Sequence, residues 1–86
     1  MGCEGSNAFA ESDVASNRRL RYAVLDAVRR LGPVDARAVE DDLRSVFEGD
    51  RVVEMIGSLM VRSMVRLMDG KFILTGLGRD ALRRHQ

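Results

Sequence analysis

Polar and small residues open the chain, and from residue 17 the apolar positions fall into a helical rhythm. Leu20, Ala23, Val24, Ala27, Val28 and Leu31 recur at three-and-four spacing, which places them on one face of an amphipathic helix. Ser16 or Asn17 can cap its start through a side-chain oxygen. Gly32 and Pro33 can end it, because glycine takes the left-handed conformation at a C-cap and proline cannot continue the helix. A second, shorter helix follows. Asp35 stands at its cap, Val39 and Leu43 face inward one turn apart, Phe47 packs near its end and Gly49 breaks the chain. Asp50 then caps a third helix, with Val52, Ile56, Leu59, Met60 and Ser63 on one side and Val53 and Met55 flanking them. From Met64 the period shortens. MVRLM and KFIL are runs rich in β-formers joined by Asp69-Gly70, a pair favoured in two-residue hairpins because both residues accept positive φ. Thr75 caps a last helix, from Gly76 to about Arg84, with Leu77, Ala81 and Leu82 inward.

The predicted order is helix, helix, helix, hairpin, helix, an α+β chain that is mostly α. Helices two and three have the close spacing of a helix-turn-helix, and a hairpin directly after the third helix has the position of a wing. Residues 1–16 show no apolar periodicity and read as a flexible N-terminal arm, with one domain over 17–86.

The stretch MIGSLMVRSMVRLMDGKFILTGLGRDAL resembles the winged-helix superfamily, in particular the MarR-like and PadR-like repressors. Those families show an apolar third helix, a small residue at a sharp turn, a valine-led strand, a glycine hairpin and an "LT..G...L" lead into the next helix. Here Ser63 stands at the turn, where the pattern usually has glycine, and Leu74, Thr75, Gly78 and Leu82 match the final part. The resemblance covers roughly residues 17–84. It implies a winged helix-turn-helix domain: three helices, a two-stranded wing and a C-terminal helix. It also implies a cytoplasmic transcriptional regulator that binds duplex DNA as a symmetric homodimer, with helix three in the major groove and the wing beside it.

On a helical wheel, the face of helix three opposite Val52, Ile56 and Leu59 holds Glu54, Gly57, Ser58 and Val61, with Arg51 and Arg62 at its margin. Ser58 suits a base or phosphate, Glu54 a cytosine amine and Val61 a thymine methyl. Lys71, beside the hairpin turn, suits a wing–phosphate contact. The candidate DNA site is therefore Arg51, Glu54, Ser58, Arg62 and Lys71. The arginines of helix one, Arg18, Arg19, Arg21, Arg29 and Arg30, either meet phosphates or form a solvated face.

Charge distribution sharpens the picture more than its total. The formal net charge is +1, and residues 1–16 carry Glu4, Glu11 and Asp13 with no base, which leaves +4 on the remainder. The body runs basic, acidic, basic. The acidic block includes Glu40, Asp41 and Asp42 of helix two, which oppose a polyanion. That block supports a second reading, a winged helix that binds another protein and no DNA. The wing supports it too. Met64, Arg66 and Met68 alternate onto one face, Val65 and Leu67 onto the other, and Ile73 pairs with the first set. Met64, Met68 and Ile73 are thus the candidate partner surface.

Other classes find little support. No apolar run approaches the roughly 20 residues that span a bilayer, and no basic segment followed by an apolar one marks a secretory signal. MGCEGS fits the N-myristoylation pattern, with Cys3 able to take a second acyl chain; a polar arm with an incidental cysteine is the simpler reading. One cysteine makes neither a disulfide nor a zinc site by itself. Consecutive helix positions such as Glu40, Asp41 and Asp42 point apart and do not converge on a metal. The single histidine, His85, falls in an expected frayed last turn. The sequence therefore implies no enzyme, no cofactor and no metal.

Overall fold

Residues 20–28 supply the central spine of the molecule. The computed structural model describes the backbone of residues 2–85 and the side chains of residues 16–85. Helix α1 runs Gly2–Leu31, followed by α2 (Ala36–Leu43), α3 (Gly49–Val61), strands β1 (Val65–Met68) and β2 (Lys71–Leu74), and α4 (Gly76–His85). The fold is α+β and mostly α. Helix α1 begins at Gly2, so Ser16 and Asn17 are interior helical positions and not its caps. Between Gly5 and Gly32 the sequence holds no glycine or proline to interrupt it. The acylation pattern MGCEGS, and all of the expected arm over 1–16 except Ser16, fall on residues whose side chains lie outside the described ones.

Helix α1 packs against α2, α3, α4 and β2. It is therefore buried on more than one side, and Leu25, which lies off the stripe read from the sequence, is 0% exposed. Leu31, at the end of α1, is exposed instead. In α2 the Asp35 carboxylate accepts a hydrogen bond from the Ala38 backbone N–H at 2.9 Å, and Val39 and Leu43 are buried, as their spacing predicts. Helix α3 departs from expectation at both ends. Glu48 occupies its cap position without a side-chain bond, and Asp50 sits inside the first turn, where a carboxylate still complements the helix dipole. Its inward row is Val52, Met55, Ile56 and Leu59. Met60 and Ser63 stay outside the core, Ser63 because it lies beyond the helix.

The hairpin pairs Val65 with Leu74, Arg66 with Ile73, Leu67 with Phe72 and Met68 with Lys71. Asp69 (φ 52) and Gly70 (φ 78) both take positive φ, as a two-residue hairpin with right-handed strand twist requires. A further extended partner joins from the link between α1 and α2. Val34 N–H donates to the Phe72 carbonyl at 3.1 Å, and Phe72 N–H donates back to the Val34 carbonyl at 2.6 Å. Strand β2 is thereby flanked on both sides, and β1 is the outer edge.

The base of the hairpin is tied to both neighbouring helices. Ser63 turns the chain out of α3 with φ 62, a conformation unfavourable to a residue with a Cβ. The Thr75 hydroxyl donates to the Ser63 carbonyl at 2.6 Å and accepts from the Gly78 N–H at 3.2 Å, so one side chain caps α4 and fastens the turn after α3. Thr75 N–H adds a bond to the Met64 carbonyl at 3.1 Å. Helix α4 approaches so closely that a Cβ on Gly78 would collide with that same carbonyl oxygen and lie 2.8 Å from Leu74 Cδ1. The inward residues of α4 are consequently Gly78 and Leu82, and Leu77, expected inside, is 58% exposed. The end of α4 is not frayed: His85 stacks on Tyr22 with ring centroids 3.7 Å apart.

Candidate functional site

Burying Val52, Met55, Ile56 and Leu59 turns Val53, Glu54, Gly57, Ser58 and Val61 to solvent. This face has low relief at its centre, since a Cβ at Gly57 would meet nothing within 4 Å. Arg51, Glu54, Ser58 and Arg62 recur every three or four residues and so form one row of α3, about 16 Å long at 1.5 Å per residue. That row forms one wall of a cleft, and the opposite wall is Asn17, Leu20 and Arg21 of α1, with Met55 at the base. Four of the five predicted site residues thus come together. The Arg51 guanidinium donates to Asn17 Oδ1 at 3.1 Å, a direct tie between the two walls. Lys71 stands apart, exposed on the hairpin across from Met68.

Arg21 is the member of this cleft that sequence reasoning did not single out from the other arginines of α1. The signal available was its position next to the buried Leu20 and four residues after Asn17. Only the packing of α1 on α3 brings it opposite Ser58.

The acidic block is less exposed as charge than its sequence suggests. Arg30 bridges Asp26 at 2.8 Å and Asp42 at 2.7 Å, Arg29 bonds Asp26 at 2.7 Å, and Arg44 bonds Asp41 at 2.9 Å. Hydrogen bonds from Arg29 and Arg30 hold the Asp26 carboxyl below the ordinary carboxylate range, and those to Asp42 and Asp26 raise Arg30. Each bridge is solvent-exposed, so each stabilises by at most about 1 kcal/mol. Their larger consequence is electrostatic: two of the three consecutive acids of α2 are already matched.

The candidate partner residues do not form one exposed patch. Met64 is half-buried against the core. Ile73, opposite Arg66 in the register, lines a shallow hollow with Val28 and Pro33. Met68 alone is largely open, at 46% exposure. Larger apolar exposure lies elsewhere, at Val61 (86%), Val46 and Leu77, while on the hairpin Leu67 (49%) borders a hollow shared with Met60, Ser63, Arg66 and Thr75.

Among the described residues, no three His, Cys, Asp or Glu side chains are grouped as metal ligands would be. No described helix, including the 30-residue α1, is long and apolar enough to cross a membrane. No protein-family model, no curated protein and no solved structure matches the chain.

Proposed function

We propose that the chain is a winged helix-turn-helix domain that binds duplex DNA as a homodimeric transcriptional regulator. In this reading α2 and α3 are the helix-turn-helix, α3 enters the major groove and the β1–β2 hairpin is the wing. The supporting observation is the row of Arg51, Ser58 and Arg62 beside a low-relief exposed face of α3. Val34, pairing with β2 just before α2, links the hairpin to the start of α2, which supports the reading of the two as neighbouring parts of one surface. Ser58 and Val61 would meet base edges, Glu54 a cytosine amine, and Arg51, Arg62 and Lys71 phosphates. Two copies would present two α3 helices to two half-sites. The reading assigns no catalytic role.

Fluorescence anisotropy with duplex DNA at low salt tests it. Arg62→Ala and Lys71→Ala should each weaken binding to all sequences and lower the salt dependence by about one ion's worth of slope. Absence of binding to any duplex at micromolar protein overturns the reading. Sedimentation equilibrium tests the dimer, and a strict monomer at high micromolar concentration overturns that part.

A second reading, a protein-interaction module without DNA binding, is favoured by one observation. Leu67 and Met68, on opposite faces of the hairpin, are 49% and 46% exposed, so no single packing of the hairpin on its own domain buries both.

A further inference from the structure

We infer that the cleft between α1 and α3 is a phosphate-binding site and that Arg21 is one of its ligands. The inference rests on the DNA-binding reading for the source of the phosphate, the duplex backbone, and adds α1 to the interface. Three guanidinium groups, Arg21, Arg51 and Arg62, line this cleft of about 250 Å³ against one carboxylate, Glu54. None of the four enters an ion pair among the described residues. Three other arginines, Arg29, Arg30 and Arg44, are each matched to a carboxylate; what sets the cleft apart is that three unmatched guanidinium groups line one hollow. Three cations against one carboxylate leave an excess of positive charge whose members repel one another, most strongly beside low-dielectric walls such as Leu20 and Met55. An oxyanion in the cleft converts that repulsion into attraction.

Arg21 carries a second, independent mark. Its Nε is buried and has no hydrogen-bond partner among the described residues, whereas buried donors are normally matched. The guanidinium fork fits two oxygens of one phosphate. Arg51, held by Asn17, and Arg62 supply donors from the facing wall. A strand whose bases face α3 would pass its backbone along this flank, which is why a phosphodiester is the expected occupant.

The test uses the full chain, labelled with nitrogen-15, and follows the arginine Nε–Hε signals during two separate titrations, with inorganic phosphate and with short duplex DNA. The Arg21 signal is identified by its loss in Arg21→Lys. It should shift with both ligands. Arg21→Lys, which keeps the charge and removes the fork, should weaken duplex binding by about fivefold to tenfold, and Arg37→Lys on the exposed side of α2 should leave it unchanged. If the duplex binds while the Arg21 signal stays still, the cleft proposal falls and the DNA reading stands. If inorganic phosphate moves the signal and no duplex binds, the DNA reading falls and the cleft serves a smaller phosphorylated molecule. If neither ligand moves it, the site is overturned. The shift is read on the unaltered protein, so a folding defect in the variant does not blunt the result.

Discussion

The two ends of the hairpin are built from the same kinds of residue and held in opposite ways. At the tip, Asp69 and Gly70 turn the chain by their backbone conformation alone, and a Cβ on Gly70 would meet nothing within 4 Å. At the base, Thr75 bonds Ser63 and Gly78, and Gly78 lies directly against the Met64 carbonyl. Glycine is needed at the tip for a torsion angle and at the base for space. A torsion preference is local and has a bounded cost. A steric conflict with backbone from another element cannot be relieved by a rotamer change, so it propagates into the packing of α4 on β2.

The largest expected effect is therefore at the base. Gly78→Val should destabilise the fold by about 3 kcal/mol, because α4 must move away from the Met64 carbonyl; chemical denaturation measures this, and a loss no greater than that of the tip variant would break the distinction. Thr75→Val preserves shape while removing the cap of α4 and the bond to Ser63. A loss of about 2 kcal/mol is expected, and hydrogen exchange should report faster opening at the first turn of α4 before anywhere else in the chain. Gly70→Val strains only the turn and should cost about 1–2 kcal/mol, with α4 amides as protected as in the unaltered protein. Accelerated exchange in α4 of that variant would show that tip and base are not independent. Ser63→Gly sharpens the contrast in the other direction. It relaxes a positive φ at the base without disturbing the carbonyl that Thr75 bonds, and should stabilise by about 0.5–1 kcal/mol.

The smallest effect lies outside the hairpin, at the α1–α2 joint. The bonds from Arg29 and Arg30 depress the Asp26 pKa in the folded chain, so its contribution is present above the unfolded carboxylate value, near pH 4, and is lost as pH falls through the lower folded value. Asp26 is about a third exposed, which limits the effect to less than about 1 kcal/mol. Asp26→Asn should remove this part of the acid sensitivity, and equal pH profiles for the two proteins in thermal melts would refute the assignment.

The features that were legible from sequence share one property: they are settled within about four residues. Asp35 bonds Ala38, Thr75 bonds Gly78, and Asp69-Gly70 turns on its own torsions. The row Arg51, Glu54, Ser58 and Arg62 was also legible, because helical periodicity alone puts these residues on one side of α3. What it faces was not. Arg21 joins that row only through the packing of α1 across α3, a relation between residues some thirty to forty positions apart that no local pattern encodes. The surroundings of the candidate partner residues were legible only in part. Strand alternation placed Ile73 with the Arg66 set, and the register pairs the two, whereas Met64 precedes β1 and is half-buried against the core.

By itself, then, the sequence determined the element types, three of the four inward rows in outline and the hairpin turn, because periodicity, caps and positive φ act through neighbouring bonds. Tertiary structure decided which side of each helix is covered. Leu25 is buried because α1 is surrounded by four elements, and Leu77 is exposed because only Gly78 fits against Met64. It also decided that Val34 would extend the sheet and that Arg21, Arg51 and Arg62 would share a cleft. These outcomes depend on distances between elements, which the close packing of the whole chain sets and no segment of it specifies alone.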